Sequence, residues 1–251
     1  MQTYKTLGEI YDFLDFISPF QNQESWDNSG LLIGNHKTKI KDIFLSLEAD
    51  FKVVEKIPNN SLLITHHPLI FSPINSLDFS TYPSNIIEVL INKNISLIAM
   101  HTNFDLSHLN EYFTKEILGF RDYQKQDFIC KVNKKTNFNN LAEYIKERYA
   151  KLGLDTTLKL VRAKDKINNI AVICGAGISC IESSMFGEFE CVITGDLKYH
   201  DAMKFSSLNI SIIDVGHYES ECHFGQILAP YLKKINYNAI ILDSQNPFNY
   251  F

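Results

Sequence analysis

The stretch Leu62-Leu63-Ile64-Thr65-His66-His67-Pro68 decides how this chain is read. An apolar run suited to a buried strand ends in two adjacent histidines and a proline. Side chains of a regular strand alternate between faces, so neighbouring histidines point opposite ways unless the strand stops. Pro68 favours a stop, because it gives no N–H to a ladder and keeps His67 out of the helical region. The expectation is a strand that ends at Thr65 and turns, so that both imidazoles converge beyond its carboxyl end. In open α/β sheets ligands bind at that end.

Working outward, the chain repeats itself. Residues 40–47 resemble 167–174, residues 62–66 resemble 191–196, and residues 94–101 resemble 209–217. Each set reads strand, helix, strand, helix, strand, with helices expected near 51–57 and 84–93 in the first copy and near 179–187 and 198–208 in the second. Nearly all-apolar strands alternating with helices imply largely parallel sheets covered on both faces. The fold class expected is therefore α/β, with two related lobes from an internal duplication and a metal site between them. The first lobe is assigned to 1–124, a connecting β-α-β element to 125–165 and the second lobe to 166–251. An amphipathic helix over 5–17 opens the chain. A turn-rich loop at 23–30 holds the only tryptophan, Trp26, expected to be its apolar plug. A helix near 219–235 and a strand at 239–242 close the second lobe.

Composition narrows the function. The 251 residues are 45% hydrophobic and 21% charged with net charge −5, which provides no basic footprint for nucleic acid. No apolar run approaches the ~18 residues of a membrane span, and the start does not resemble a signal peptide. Five cysteines without a CxxC pair argue against thiolate zinc and against a disulfide framework, and fit a reduced, cytoplasmic compartment.

The chemistry gathers at strand ends. His66, His67, His101, His200 and His217 all stand at or just past them. Asp105 lies four residues after His101, and Glu221 four residues after His217, where a helix would put the pair on one face. Imidazoles and carboxylates together make a site for a first-row metal without thiolates. His66, His67, Asp105, His217 and Glu221 are too many for one tetrahedral ion with open positions, and suit two ions about 3.5–4 Å apart with a water between them. Asp196 and His200, one helical turn apart, read equally well as partners or proton carriers at the site and as a helix cap. Asp214 is a further candidate for orienting a histidine. His36, His108 and His223 are expected on the solvated surface. The turn Gly175-Ala176-Gly177, or Lys198, could meet a phosphate.

Trp26-Asp27-Asn28-Ser29-Gly30-Leu31, Thr65-His66-His67-Pro68-Leu69-Ile70-Phe71, His101-Thr102-Asn103-Phe104-Asp105, Thr194-Gly195-Asp196-Leu197-Lys198-Tyr199-His200 and Gly216-His217-Tyr218-Glu219-Ser220-Glu221 together resemble the GTP cyclohydrolase 1 type 2 family, also called Ngg-interacting-factor-like or YbgI-like. The resemblance spans residues 26 to 221. It implies two α/β lobes, two divalent metal ions per chain (zinc, iron or manganese) and a ring-shaped homohexamer. It carries the same five ligands and places His101 beside the metals; from the residues themselves His101, His200 and Asp196 are the catalytic candidates. The implied reaction opens the guanine ring of GTP to give dihydroneopterin triphosphate and formate, so GTP or another phosphorylated small molecule is the expected partner. Glu48 departs from the pattern, which carries aspartate there. A two-metal phosphoesterase or nuclease, and a metal-binding assembly protein without catalysis, are the alternative readings.

Overall fold

The computed structural model describes residues 4–154 and 156–249. Its strands are β1 (Gly30–Ile33), β2 (Ile43–Ser46), β3 (Leu62–Thr65), β4 (Ser96–Ala99), β5 (Gln124–Gln126), β6 (Ile129–Asn137), β7 (Lys159–Val161), β8 (Lys166–Val172), β9 (Cys191–Thr194), β10 (Ser211–Asp214) and β11 (Ile240–Ile241). They form two sheets, in two compact units. The first unit runs to Ser107 and resumes over His223–Pro247, and the second comprises His108–Cys222.

In the first unit the order is β1-β4-β3-β2-β11. β2, β3, β4 and β11 are parallel, and β1 closes the β4 edge antiparallel. Every residue of β2, β3 and β4 is buried, as expected of strands covered on both faces. One side packs on the helices Phe51–Lys56 and Ser84–Asn92 through Val53, Val54, Ile57, Ile86, Ile87 and Leu90. The helix Leu7–Ile17 begins in a capping box, in which the Thr6 hydroxyl accepts from the Glu9 N–H and the Glu9 carboxylate accepts from the Thr6 N–H.

In the second unit the order is β5-β6-β8-β9-β10-β7. β8, β9 and β10 are parallel, and β7 flanks β10 antiparallel just as β1 flanks β4. The likeness reaches single hydrogen bonds. Asn94 and Asn209 both take left-handed φ values, +51° and +59°, where a helix ends and the third parallel strand begins. Asn94 N–H donates to Ile91 and Asn209 N–H to Ser206, each at 3.0 Å. The next amides, Ile95 and Ile210, return to Leu90 and Phe205 in the same pattern.

Three elements differ from expectation. The segment 179–187 contains two short 3-10 turns, Gly177–Cys180 and Ser183–Met185, instead of a helix, because serines that compete for backbone groups, and Gly187, break it up. The strands β6 and β7, expected in a connecting element, are members of the second sheet, and β5, which the sequence did not announce, pairs with β6 at its edge. The C-terminal helix Phe224–Lys234 and β11 belong to the first unit, where β11 covers the β2 edge and the Leu242 N–H donates to the Leu45 carbonyl at 2.8 Å. His223, expected on the surface, is buried at the start of that helix, and burial lowers its imidazole pKa. Among the described residues no helix is long and apolar enough to cross a membrane.

Candidate metal centre

The first donor set stands beyond the carboxyl ends of β3 and β4. Consecutive amides, those of His66 and His67, donate to Ser46 and Leu47 at the end of β2 at 3.2 and 3.1 Å. A regular strand sends successive N–H groups to opposite sides, so the alternation is broken here. The Thr65 hydroxyl holds the turn by donating to the His67 carbonyl at 2.8 Å. The two imidazoles end side by side, their centroids 4.9 Å apart. His101 follows β4, and its ring lies 5.2 and 5.4 Å from theirs. Ligand atoms of His66, His67 and His101 lie within 4.8 Å of one another. Asp105 stands one helical turn after His101, its N–H donating to the His101 carbonyl at 3.0 Å, and its Oδ1 is 3.4 Å from His66 Nε2.

Each imidazole is oriented from behind. His66 Nδ1 donates to the Met100 carbonyl at 2.8 Å, which directs Nε2 to the Asp105 side. His67 Nδ1 pairs with the Glu48 carboxylate. His101 Nδ1 lies 2.8 Å from Asp27 Oδ1. Asp27 also accepts from the Thr102 N–H and hydroxyl and from the Asn28 N–H. Burial alone would raise the Asp27 carboxyl, but the hydrogen bonds from His101, Thr102 and Asn28 outweigh it and hold the group well below the usual carboxylate range.

The second donor set begins the short helix His217–Glu221 after β10. His217 Nε2 is 2.9 Å from Glu221 Oε2, the i and i+4 pair expected from the sequence. His217 Nδ1 is 2.7 Å from Asp196 Oδ2. Asp196 reaches it from a left-handed turn with φ +52°, a conformation that short polar side chains tolerate better than most. Glu221 is buried, and a Cβ on Gly175 would collide with its Oε1.

The donor chemistry fits divalent ions. In His66, His67 and His217 one ring nitrogen is held by a carbonyl or carboxylate, the arrangement that fixes the tautomer of a metal-binding histidine. In His217 both nitrogens face carboxylates. A cation held by His217 and Glu221 would offset the negative charge that the two carboxylates gather around that ring.

Other sequence candidates are placed differently. Asp214 orients no histidine. Its carboxylate accepts from the Leu197 and Gly216 amides and pairs with Lys159 at 3.2 Å, so it organises the loops around Asp196 and His217. Asp196 does not cap the following helix, since Lys198 holds the cap position. His200 is exposed on the first turn of that helix, its ring edge-on to Tyr199. The amides of Gly175 and Gly177 do not face an open phosphate site, because they donate to Ser220 Oγ at 2.9 Å and Thr194 Oγ1 at 3.1 Å. Lys198 lines a cleft of about 360 Å³ in the second unit with Lys204, Asp196 and Asp201. Trp26 is not a buried plug, since it is 57% exposed. Glu48 and Asp27 are the residues that sequence reasoning did not assign. Glu48 stands two residues past the end of β2 as His67 stands two past the end of β3, a register that could have flagged it.

The family model described as Duf34/NIF3 (NGG1p interacting factor 3) matches residues 5–247. A Campylobacter jejuni protein named GTP cyclohydrolase 1 type 2 homolog is 46% identical over 245 residues, covering 98% of this chain and 99% of its own length. A Helicobacter pylori protein named GTP cyclohydrolase 1 type 2 is 42% identical over 243 residues, covering 95% of this chain and 96% of its own. The crystal structure of a Staphylococcus aureus hypothetical protein aligns with a TM-score of 0.82 at 25% identity, covering 99% of this chain and all of that one. With two α/β units, oriented histidines at the strand ends and similarity along nearly its whole length, the chain belongs to the Duf34/NIF3 family.

Proposed function

We propose that this protein is a dinuclear metal-dependent hydrolase that opens the guanine ring of GTP. The observation that carries the metal part is the locking of His66, His67 and His217 by Met100, Glu48 and Asp196. His66, His67, Asp105, His217 and Glu221 are the proposed ligands of two ions. The name borne by the Campylobacter and Helicobacter relatives nominates GTP. When bound, the ions supply a water of lowered pKa at neutral pH. No redox step is needed: one water adds at C8 and opens the imidazole ring, a second cleaves the resulting formamide to release formate, and the ribose rearranges and closes on the freed amine with loss of one water to give dihydroneopterin triphosphate. In this reading Asp27 fixes the His101 ring so that it can carry a proton to and from the reacting base. His200, on the exposed helix turn, passes protons to solvent, and Lys198 is the cation offered to the triphosphate. A homohexamer is part of the same reading, tested by its mass in solution.

The test combines elemental analysis with formate release from GTP, before and after chelation. Two ions per chain and chelator-sensitive formate are expected, and both should be lost in His67→Ala while the circular dichroism of the fold persists. Two retained ions in that variant would overturn the ligand assignment. Phosphate without formate would turn the reading to a phosphoesterase. Metal without turnover, with the oligomer dissolving on chelation, would turn it to an assembly protein.

A further inference from the structure

The loop carrying Trp26 is anchored without using the indole. Asp27 is bonded from below by His101 and Thr102, the Glu24 N–H donates to Thr102 Oγ1 at 2.9 Å, and Asn28 Nδ2 donates to the Ile70 carbonyl at 2.6 Å. That last bond ties the loop to the segment bearing Phe71. Trp26 and Phe71 meet with centroids 5.9 Å apart and planes tilted by 50°, and they remain 57% and 49% exposed. Both rings meet His101 nearly edge-on, at 6.2 and 6.4 Å. One exposed aromatic is ordinary, but two tied together through the loop's hydrogen bonds and set against a histidine of the donor cluster form an apolar surface open to a ligand.

We infer that Trp26 and Phe71 form a stacking platform for the planar fused heteroaromatic ring of a substrate, such as a purine. This inference rests on the ring-opening reading, since a base must lie beside the metal cluster for water to reach it. The two rings are too close and too tilted to clasp a base between them, because each stacked face needs about 3.5 Å. The base therefore lies across their open surface, with His101 at its edge. Stacking selects for flat π-systems, so the platform binds the base and leaves the phosphates to other groups.

Trp26 is the only tryptophan, so its fluorescence reports on the platform alone. Titrating the metal-loaded protein with guanosine and GTP is expected to quench it, whereas inorganic tripolyphosphate leaves it unchanged. Phe71→Ala is expected to weaken guanosine binding about tenfold to a hundredfold. Trp26→Ala is expected to raise the KM for GTP by a similar factor with metal content unchanged, and Trp26→Phe should restore most of it. A KM for GTP left at the native value in Trp26→Ala, with formate still released, would overturn the platform and leave the ring-opening reading standing. Quenching by guanosine without any formate would keep the platform and sink the ring-opening reading. A change of oligomeric mass in Trp26→Ala at unchanged guanosine affinity would make the patch a subunit contact and overturn the inference.

Discussion

Glu48 has one methylene more than the aspartate expected after β2, and that reach lets it pair with His67 Nδ1 while its own side chain stays partly exposed. Glu48→Gln keeps the shape and removes the charge, so it should weaken metal affinity about tenfold to a hundredfold without unfolding the chain, as measured against a competing chelator. Asp27 acts from a fully buried position behind His101. Asp27→Asn is expected to lower stability at pH 7 by about 1.5–3 kcal/mol, the usual worth of a hydrogen bond to a charged group. Its carboxyl is held below the ordinary value of 3.8, so the wild-type advantage is present above that value. It disappears only as pH falls through the lowered folded-state value. Chemical denaturation of both proteins should show a constant gap from pH 7 to about pH 4 that only begins to narrow at pH 3.

At the scale of elements, the site is made by how strands end. The broken alternation at His66 and His67 was legible because a proline follows two histidines, and the helix pairing of His217 with Glu221 because they are four residues apart. What escaped reading depends on distant partners. Glu48 meets His67 across 19 positions and Asp27 meets His101 across 74. The exposure of Trp26 likewise follows from what the rest of its loop is tied to. The failed helix at 179–187 had apolar spacing but too many residues that hydrogen-bond locally. The Gly175 turn yields a prediction at this scale. Both Gly175 (φ +57°) and Gly153 (φ +71°) sit in left-handed backbone, but a Cβ on Gly153 meets nothing within 4 Å. Alanine at Gly153 should lower stability by about 1–2 kcal/mol from backbone strain alone, and at Gly175 by more because of the collision with Glu221, measured by urea unfolding. Only Gly175→Ala should also lose metal, because it displaces Glu221.

For the whole molecule, ligands that bind the folded state alone stabilise it by mass action. Free metal at a hundred times its Kd is expected to add about 2.7 kcal/mol for each ion bound. The gain should shrink below about pH 6.5, where imidazoles take up protons in place of metal. Calorimetry with and without metal at pH 8 and pH 5.5 tests this. The connectivity of the first unit has a consequence for synthesis. Its sheet is begun by β1 to β4 but receives β11 only near the end, after the body of the second unit, His108–Cys222, has been made. On the ribosome the second unit can finish folding while the first waits with the β2 edge unpaired, an edge open to other chains until Ile241 emerges. The histidines at residues 66, 67 and 101 are thus translated early and set late, and a message truncated before β11 would release a product prone to aggregate.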